Sequence, residues 1–287
     1  MTYETSKEML IDAYENKYAV GAFATHNLEV MKAVIEAADE LSSPVIFQTT
    51  PGTIKYLGAD FLVAMTRVAA ERYKVPVALH LDHGDSLSTV IQCIRAGFTS
   101  IMIDGSHLPF EKNVQLVKQV VDIAHTVNVP VAAELGTIGG VEDDLTIDEE
   151  QALFTDPDLA AEFVQRTGID FFAPAFGTAH GEYKGEPKLD FNRLELISQN
   201  VNVPLVMHGA SGVPEQSIVK SLNYGISKIN ISTELKIPFA EELRTYLINH
   251  PDEYDPRKYF LSARESVKQV VIDKITMFKQ RSEIKSL

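Results

Sequence analysis

Cysteine, basic residues and long apolar segments are all scarce in this sequence. The single cysteine, Cys93, excludes a disulfide within the chain and favours a reducing, cytoplasmic setting. Lysine and arginine number 26 against 40 aspartates and glutamates, for a net charge of −14, so nucleic acid and anionic membranes are not expected partners. No apolar run approaches the roughly 20 residues that span a bilayer. The N-terminal MTYETSKEML also lacks the basic and apolar regions of a signal peptide.

The chain does contain enough apolar sequence for one large core. Its 287 residues are 45% hydrophobic and 23% charged, which is typical of a globular protein. We therefore expect a single domain over residues 1–287. The segment 262–280 repeats apolar residues at helical intervals, which predicts a C-terminal helical extension over about residues 258–287.

Eight short apolar segments have the composition of β-strands, and stretches with helical periodicity separate them. The predicted strands are bounded by Gly, Pro, Asn or Asp and cover residues 18–24, 44–50, 76–82, 98–105, 130–136, 169–177, 204–211 and 226–233. Helices are predicted among others at 27–41, 59–73, 110–127 and 157–168. This alternation predicts an α/β fold, either a closed TIM (β/α)8 barrel or an open doubly wound sheet.

The positions of the polar residues favour the barrel. Nearly every predicted strand begins apolar and finishes polar, at Thr49, Thr50, Asp82, His83, Asp104, Glu134, His208, Ser211, Asn230 and Thr233. The carboxyl ends of barrel strands converge on one mouth, whereas those of an open sheet are too dispersed to share one site. We therefore expect a barrel with its active site at the C-terminal mouth of the strands.

Three histidines occupy positions that would lie on this rim. An isolated histidine is usually a hydrogen-bonded structural residue, which is our interpretation of His107 and His125. His83, His180 and His208 instead follow strands 3, 6 and 7. Three neutral imidazoles with an open fourth coordination position are typical of a catalytic Zn²⁺ site. From the residues alone, two interpretations of these histidines stay open, a zinc site and structural core residues.

Two further motifs suggest a phosphate site and a lid. HGAS (208–211) and NIST (230–233) follow strands 7 and 8 with small and hydroxyl residues, at the place where barrels commonly bind phosphate, although ordinary helix capping is the alternative. In AELGTIGGVEDD (133–144), glycines lead into an acidic cluster, and no strand or strong helix is evident from Gly136 to about Asp156. A loop of this length with glycine hinges is typical of a lid.

These motifs together resemble one enzyme family from end to end. HLDHGDS, IDGSH, AELGTIGGVEDD, GTAHGEYKGEPKLDF, PLVMHGASGVP and GISKINISTE are similar, in order, to segments of the class II, zinc-dependent fructose- and tagatose-bisphosphate aldolases. The similarity covers essentially the whole chain. It is far more specific than the three histidines by themselves.

The resemblance implies a role for each matching position. His83, His180 and His208 would hold one Zn²⁺ per subunit, Asp82 would be the acid/base for the C4 hydroxyl, and Glu142 would move the proton at C3. Asp104 and Glu134 match a second or alternate metal position. The surroundings of the ketose phosphate match Gly181, Gly209, Ala210, Ser211, Asn230, Ile231, Ser232 and Thr233. Asn27 and Thr50, together with Lys184 and Arg257 as phosphate contacts, complete the candidate residues.

The chemistry of the family agrees with these roles. Breaking the C3–C4 bond of a ketose bisphosphate leaves negative charge that a zinc-stabilised enediolate can carry. A lysine Schiff base at Lys228 is an alternative, but it leaves the rim histidines unexplained. A metal-dependent hydrolase and a non-catalytic sugar-phosphate-binding subunit are further alternatives. A hydrolase would not require the predicted phosphate site at residues 208–211 and 230–233. The presence of all the candidate catalytic residues argues against a non-catalytic subunit.

The sequence favours tagatose 1,6-bisphosphate over fructose 1,6-bisphosphate as substrate. HGAS, ISTELK and LFTDP resemble the tagatose branch, whereas HGDS, YKGEPKLDF and YDPRKYF are closer to fructose enzymes. Either substrate yields dihydroxyacetone phosphate and glyceraldehyde 3-phosphate. The resemblance also implies a homodimer or homotetramer, and it is compatible with a non-catalytic companion subunit and with a monovalent cation near the phosphate.

Overall fold

Eight parallel strands close into a barrel in the computed structural model, which describes residues 2–142, 145–147, 153–183 and 185–280. Numbered in chain order, the barrel strands are β1 (Val20–Ala24), β2 (Val45–Thr49), β3 (Val77–Gly84), β4 (Ser100–Ile103), β5 (Val131–Leu135), β8 (Phe171–Pro174), β10 (Leu205–Met207) and β11 (Ile226–Ile231). They pair in the order β1-β11-β10-β8-β5-β4-β3-β2, and β1 also pairs with β2. The predicted TIM barrel is therefore confirmed, and the open sheet is excluded.

Helices surround the barrel and alternate with its strands. They are α1 (Ser6–Asn16), α2 (Leu28–Glu40), α3 (Pro51–Leu57), α4 (Ala59–Arg72), α5 (Leu87–Ala96), α6 (Phe110–Ala124), α7 (Pro157–Thr167), α8 (Phe191–Asn200), α9 (Glu215–Leu222), α10 (Thr233–Asn249) and α11 (Pro256–Phe278). The predictions at 27–41, 59–73, 110–127 and 157–168 correspond to α2, α4, α6 and α7. None of the helices in the described ranges combines the length and apolarity needed to cross a bilayer.

The barrel interior has an apolar lower layer and a polar upper layer. The lower layer is closed by α1 and contains Met9, Leu10, Ala13, Val20, Ala22, Ile46, Ala78, Met102, Ala132, Phe171, Ala173 and Val206. Side chains on a strand alternate between its two faces, so residues two positions further along also point inward. Those buried inward residues are polar: Gln48, His80, Asp82, Glu134, His208 and, on β11, Lys228 and Asn230. The side chains inside the barrel are therefore apolar at the lower end and polar near the mouth, where they can take part in binding or catalysis.

The segment after β5 corrects one prediction, because it contains strands rather than a strand-free loop. β6 (Gly139–Glu142) and β7 (Leu145–Ile147) form an antiparallel hairpin, and β6 pairs in parallel with β9 (Ala179–His180). Gly140 has φ +106°, and a Cβ there would overlap the backbone of His180. At this position glycine permits close strand pairing, whereas the sequence suggested a hinge.

The C-terminal helix α11 packs against the barrel's own helices. Its buried face contacts α2 and α10 and includes Ala263, Val267, Val271, Lys274, Ile275 and Phe278. The backbone N–H of Ala19, just before β1, donates to the Phe278 carbonyl at 3.0 Å. Residues 281–287 lie outside the described part of the chain.

Candidate metal centre and active site

The end of β3 turns two adjacent side chains, Asp82 and His83, toward the same mouth. In a regular strand these neighbours would point to opposite faces. The pairing of β3 with β4 shifts register between Leu81 and Gly84, and His83 has φ +44°, a left-handed conformation that few residues other than glycine adopt. Both side chains are buried, Asp82 at 0% and His83 at 4% exposure. This local irregularity supplies two functional groups from consecutive positions.

The three predicted histidines meet in space. His83 ends β3, His180 lies in β9, and His208 follows β10. Their ring centroids are separated by 5.1 Å for His83 and His180, 4.6 Å for His83 and His208, and 5.9 Å for His180 and His208. One nitrogen from each ring lies within 4.8 Å of the other two. Three strand ends that are separated in sequence therefore present their imidazoles to one point.

Asp104 and Glu134 lie beside His83, as the sequence suggested. The Nδ1 of His83 is 2.7 Å from Oδ2 of Asp104, and ligand atoms of these three residues lie within 4.8 Å of one another. Burial alone would raise the pKa of Asp104, but hydrogen bonding to His83 outweighs burial and holds that pKa well below its usual range. Burial, followed by the charge of Asp104, raises the pKa of Glu134 well above its usual value.

These residues fit a divalent metal ion. Burial, followed by the neighbouring His83, lowers the pKa of His208 well below its usual value, which keeps this imidazole neutral as a metal ligand must be. Oε2 of Glu134 is buried and has no hydrogen-bond partner among the described residues, although it lies 3.7 Å from Nδ1 of His208. A cation between the imidazoles and these carboxylates would offset the cost of burying them together. The donor set of three histidines with nearby carboxylates is typical of zinc.

Asp82 lies below the histidines and has several partners from other strands. The amide of Asn230 donates to both of its oxygens, at 3.1 and 3.2 Å, and Nζ of Lys228 donates to Oδ1 of Asn230 at 2.7 Å. Burial alone would raise the pKa of Asp82, but the electrostatic influence of the nearby His83, His80 and Lys228 outweighs burial and lowers it. Asp82 is therefore ionised at neutral pH and able to accept a proton.

A small polar pocket opens beside the histidines. It is lined by His180, Gly181, Gly209, Ser211, Asn230, Ser232, Thr233 and Lys236. The hydroxyl of Ser211 accepts from the backbone N–H of Ser232 at 3.4 Å, which joins the two loops that the sequence assigned to phosphate. Ala210 and Ile231 are fully buried in the hydrophobic core, so only their backbones can face a ligand. The N-terminus of α10 adjoins this pocket at Thr233 and adds a favourable dipole for an anion.

A tyrosine fixes the two loops that flank this pocket. The hydroxyl of Tyr183 accepts from the backbone N–H of Ala179 and donates to the carbonyl of Gly209, each at 2.8 Å. A Cβ on Gly209, where φ is +62°, would overlap the backbone of Ala179. The loop that carries His180 is thus held closely against the loop that carries His208.

The remaining candidates lie elsewhere or have local roles. Asn27 and Thr50 accept hydrogen bonds at the N-termini of α2 and α3. Arg257 is exposed, pairs with Asp255 at 2.7 Å, and lines a different groove on α2 and α11. Lys184 lies outside the described residues. The backbone of Glu142 ends β6, but its side chain is also outside the described part.

Sequence reasoning assigned no role to His80 or Lys236 and considered Lys228 only for a Schiff base. His80 precedes Asp82 by two positions, as Lys228 precedes Asn230, so the period of two within a strand could have placed all four side chains inside the barrel. Lys236 lies one turn into α10, near the NIST segment. That spacing could have indicated its position beside the pocket.

Comparison with known proteins identifies the relatives of this chain. A family model of class II fructose-bisphosphate aldolases matches residues 4–283. The chain is 49% identical over 267 residues to the D-tagatose-1,6-bisphosphate aldolase subunit GatY of Klebsiella oxytoca, covering 93% of this chain and 94% of that protein. Among solved structures, the YdjI aldolase of Escherichia coli K12 is 35% identical with a TM-score of 0.84, covering 98% of this chain and 99% of that one. A putative fructose-1,6-bisphosphate aldolase from Coccidioides immitis is 27% identical with a TM-score of 0.89, covering 99% of each chain.

Proposed function

This chain belongs to the class II fructose-bisphosphate aldolase family, and we propose that it reversibly cleaves D-tagatose 1,6-bisphosphate to dihydroxyacetone phosphate and D-glyceraldehyde 3-phosphate with the aid of Zn²⁺. The observation that carries this proposal is the convergence of His83, His180 and His208 beside an ionised, buried Asp82. The three histidines would hold the ion, with Asp104 and Glu134 as an alternate position. When bound, Zn²⁺ acts as a Lewis acid that stabilises the negative charge developing on the ketose fragment.

Asp82 is proposed to move the proton of the C4 hydroxyl. In cleavage, its carboxylate accepts that proton, the O–H electron pair forms the aldehyde carbonyl, and the C3–C4 electron pair stays with C3. Asn230 and Lys228 hold the carboxylate in an ionised, fixed position inside the barrel, which favours proton acceptance in a water-poor site.

Glu142 is proposed to protonate C3 and complete dihydroxyacetone phosphate. Its strand, β6, pairs with β9, which contains His180, so the backbone of the loop is tied to the metal centre. In the reverse direction Glu142 takes the C3 proton and Asp82 returns its proton to the C4 oxygen.

The pocket beside His180 is proposed to bind the phosphate of the ketose. Gly181, Gly209 and the serines at 211 and 232 leave room for backbone N–H groups to reach an anion, and Lys236 adds a positive charge at the rim. A monovalent cation near this phosphate is compatible with the carbonyl and hydroxyl oxygens there. Lys184 remains a further proposed phosphate contact, whereas Arg257 pairs with Asp255 and lines a groove that shares no residue with this pocket.

The choice of tagatose over fructose rests on the similarity to the Klebsiella oxytoca protein. Fructose 1,6-bisphosphate, which differs at C4 alone, is the alternative substrate for the same machinery. The deciding experiment measures kcat/KM for both sugars with one purified preparation. We expect the larger value for the tagatose compound, and an equal or larger value for fructose 1,6-bisphosphate would overturn the choice.

The same preparation tests the zinc mechanism against a lysine Schiff base. Lys228 is buried and donates to Asn230, so it is placed to support Asp82. Cleavage should be lost in EDTA and restored by Zn²⁺. Inactivation by borohydride in the presence of substrate would instead identify a Schiff base and refute the metal mechanism.

We further propose a single barrel domain over residues 1–287 with a C-terminal helical extension, acting as a homodimer or homotetramer in the cytoplasm. The presence of a single cysteine, Cys93, which allows no disulfide within the chain, is the basis for proposing a reducing setting. The Klebsiella oxytoca relative is named a subunit, which makes a non-catalytic companion a reasonable partner to seek. Light scattering of the purified chain, with and without cell extract fractions, distinguishes these assemblies.

A further inference from the structure

A chain of four buried polar side chains runs from the bottom of the barrel to Asp82. The hydroxyl of Ser6, on α1, is 2.7 Å from that of Ser100, on β4, and the Ser100 hydroxyl is 2.7 Å from Nδ1 of His80. Nε2 of His80 lies 3.7 Å from Oδ1 of Asp82. All four residues are at most 1% exposed, so the partners of each polar group must come from the protein or from buried water.

The chemistry of these groups determines which of them donates and which accepts at each contact in the series. Burial, followed by the charge of Lys228, lowers the pKa of His80 to about 4, so its ring is neutral and carries one N–H at neutral pH. An unprotonated Nε2 would face a carboxylate with its lone pair, which is unfavourable. The proton therefore belongs on Nε2, and Nδ1 accepts from Ser100, whose oxygen accepts from Ser6.

The two oxygens of Asp82 are unequally surrounded. Oδ1 is approached by His80 at 3.7 Å, by Lys228 at 4.0 Å and by Asn230 at 3.1 Å. Oδ2 accepts from Asn230 at 3.2 Å. Oδ1 is thus the oxygen held by the protein, and Oδ2 is the one left to receive a proton from a substrate.

We propose that His80, oriented by Ser100 and Ser6, is a positioning residue that holds Oδ1 of Asp82 through its Nε2–H, so that Oδ2 faces the C4 hydroxyl. This inference rests on the proposed aldolase function. The separation of 3.7 Å is longer than a hydrogen bond, and such contacts commonly tighten when substrate binds. His80 touches neither the substrate nor the metal in this scheme, and it acts only through Asp82.

Two reactions of the same enzyme separate this role from a structural one. Cleavage of the ketose bisphosphate needs the C4 proton transfer, whereas exchange of the C3 hydrogen of dihydroxyacetone phosphate with D₂O does not. His80→Asn removes the donor at the Nε2 position, and we expect kcat for cleavage to fall about 100-fold, the effect of a misplacement of about 1 Å. The rate of exchange, followed by NMR, should stay within about twofold of the wild-type rate, because the interactions at C3 are unchanged.

Conservative variants and a matched control complete the test. His80→Gln places an amide N–H near Nε2 and should recover part of the cleavage rate. Ser100→Ala removes the hydrogen bond to Nδ1 that fixes the tautomer of His80. The rate of cleavage should therefore fall about 10-fold while the rate of exchange is unchanged. Ser221 is also a fully buried serine, but its hydroxyl donates to the Ile218 carbonyl on α9, so Ser221→Ala should change neither rate.

Two outcomes would overturn the inference. A parallel loss of cleavage and exchange in His80→Asn would show damage to the whole site, and unchanged cleavage would show that His80 has no role. If His80→Asn does not fold, the ratio of the two rates in Ser100→Ala decides by the same criterion. Wild-type protein that neither cleaves nor exchanges would refute the proposed function itself, which is a distinguishable result.

Discussion

The Nδ1 atom of His83 lies 2.7 Å from Oδ2 of Asp104, so one nitrogen of this imidazole is occupied and the other faces His208. A carboxylate on the far nitrogen of a metal-binding histidine fixes the tautomer and orients the ring. We therefore propose that Asp104 supports His83 as a ligand, in addition to its proposed part in an alternate position for the ion.

Replacing Asp104 with alanine should weaken zinc binding by about 10- to 100-fold, the usual cost of losing such a partner. Competition with a chromophoric chelator measures the affinity directly. Asp190→Ala is the control, because Asp190 accepts from the backbone N–H of Arg193 at the start of α8 and should affect stability without affecting zinc. Equal zinc affinities for wild type and Asp104→Ala would contradict the assigned role.

Zinc should also stabilise the folded protein. An ion that binds only the native state, at a free concentration 100 times its Kd, adds about 2.7 kcal/mol to the free energy of unfolding. Thermal unfolding of metal-stripped protein, with and without Zn²⁺, measures this effect. In His208→Ala the increase should be much smaller, and a full increase in that variant would place the zinc elsewhere.

The barrel could be predicted from the sequence because its signals are local and repeated. Runs such as 76–82 and 204–211 are apolar, short and bounded by turn residues, and their polar ends indicate the mouth. The β6–β7 hairpin could not be predicted in this way, since its strands have only four and three residues and β6 begins with two glycines. β6 also pairs with β9, at Gly139 with Ala179 and Gly140 with His180, and a local sequence pattern does not contain so distant a partner.

The site was predictable in composition but not in geometry. His83, His180 and His208 were identified from motifs, yet a strict period of two would send Asp82 and His83 to opposite faces. The register shift in the pairing with β4 and the positive φ of His83 resolve this conflict. The contacts of Ser100 with His80 and with Ser6 could not be predicted either, because they join residues 20 and 94 positions apart in the chain.

Tyr183→Phe should weaken catalysis through the loops that it joins. The variant loses both hydrogen bonds of the hydroxyl, to the Ala179 N–H and to the Gly209 carbonyl. We expect the free energy of unfolding to fall by about 1–3 kcal/mol and kcat/KM to fall about 10-fold, as His180 becomes less well placed. Tyr18→Phe is the control, because that hydroxyl donates to Asp12 at the other end of the barrel. An unchanged kcat/KM in Tyr183→Phe would remove this support from the loop arrangement.

Asp170, at the lower end of the barrel, should make the free energy of unfolding depend on pH. It accepts from Lys7 and His125 at 2.8 Å and from the N–H of Val131 at 2.9 Å, and despite its burial these contacts lower its pKa. A carboxyl with a depressed folded pKa stabilises the fold above its unfolded pKa, and this stabilisation is lost as pH falls through the folded value.

Asp170→Asn should therefore reduce the free energy of unfolding by about 1–3 kcal/mol at pH 7. The difference from wild type should shrink as pH falls below about 4. Urea unfolding at a series of pH values measures it, and the exposed Asp252→Asn should show no difference at any pH. A difference that grew on acidification would have the wrong sign for a depressed pKa.

Lys236 offers the sharpest test of where the substrate phosphate binds. It lines the pocket with Ser211 and Thr233, whereas Arg257 pairs with Asp255 and lines a separate groove. A charge-assisted hydrogen bond contributes about 1.5–3 kcal/mol, so Lys236→Met should raise KM by about 10- to 100-fold with a much smaller change in kcat. Competitive inhibition by inorganic phosphate should weaken in proportion.

One lysine variant and one arginine variant serve as controls, and they test whether the effect on KM is specific to this pocket. Lys220→Met removes an ammonium that lies 4.0 Å from the ring centroid of Phe191 on the outer surface, so KM should not change. Arg257→Met should also leave KM unchanged, because its groove shares no lining residue with the pocket. If KM instead rose in Arg257→Met and not in Lys236→Met, the phosphate would bind at the α2–α11 groove, and the loops at 208–211 and 230–233 would not be the phosphate site.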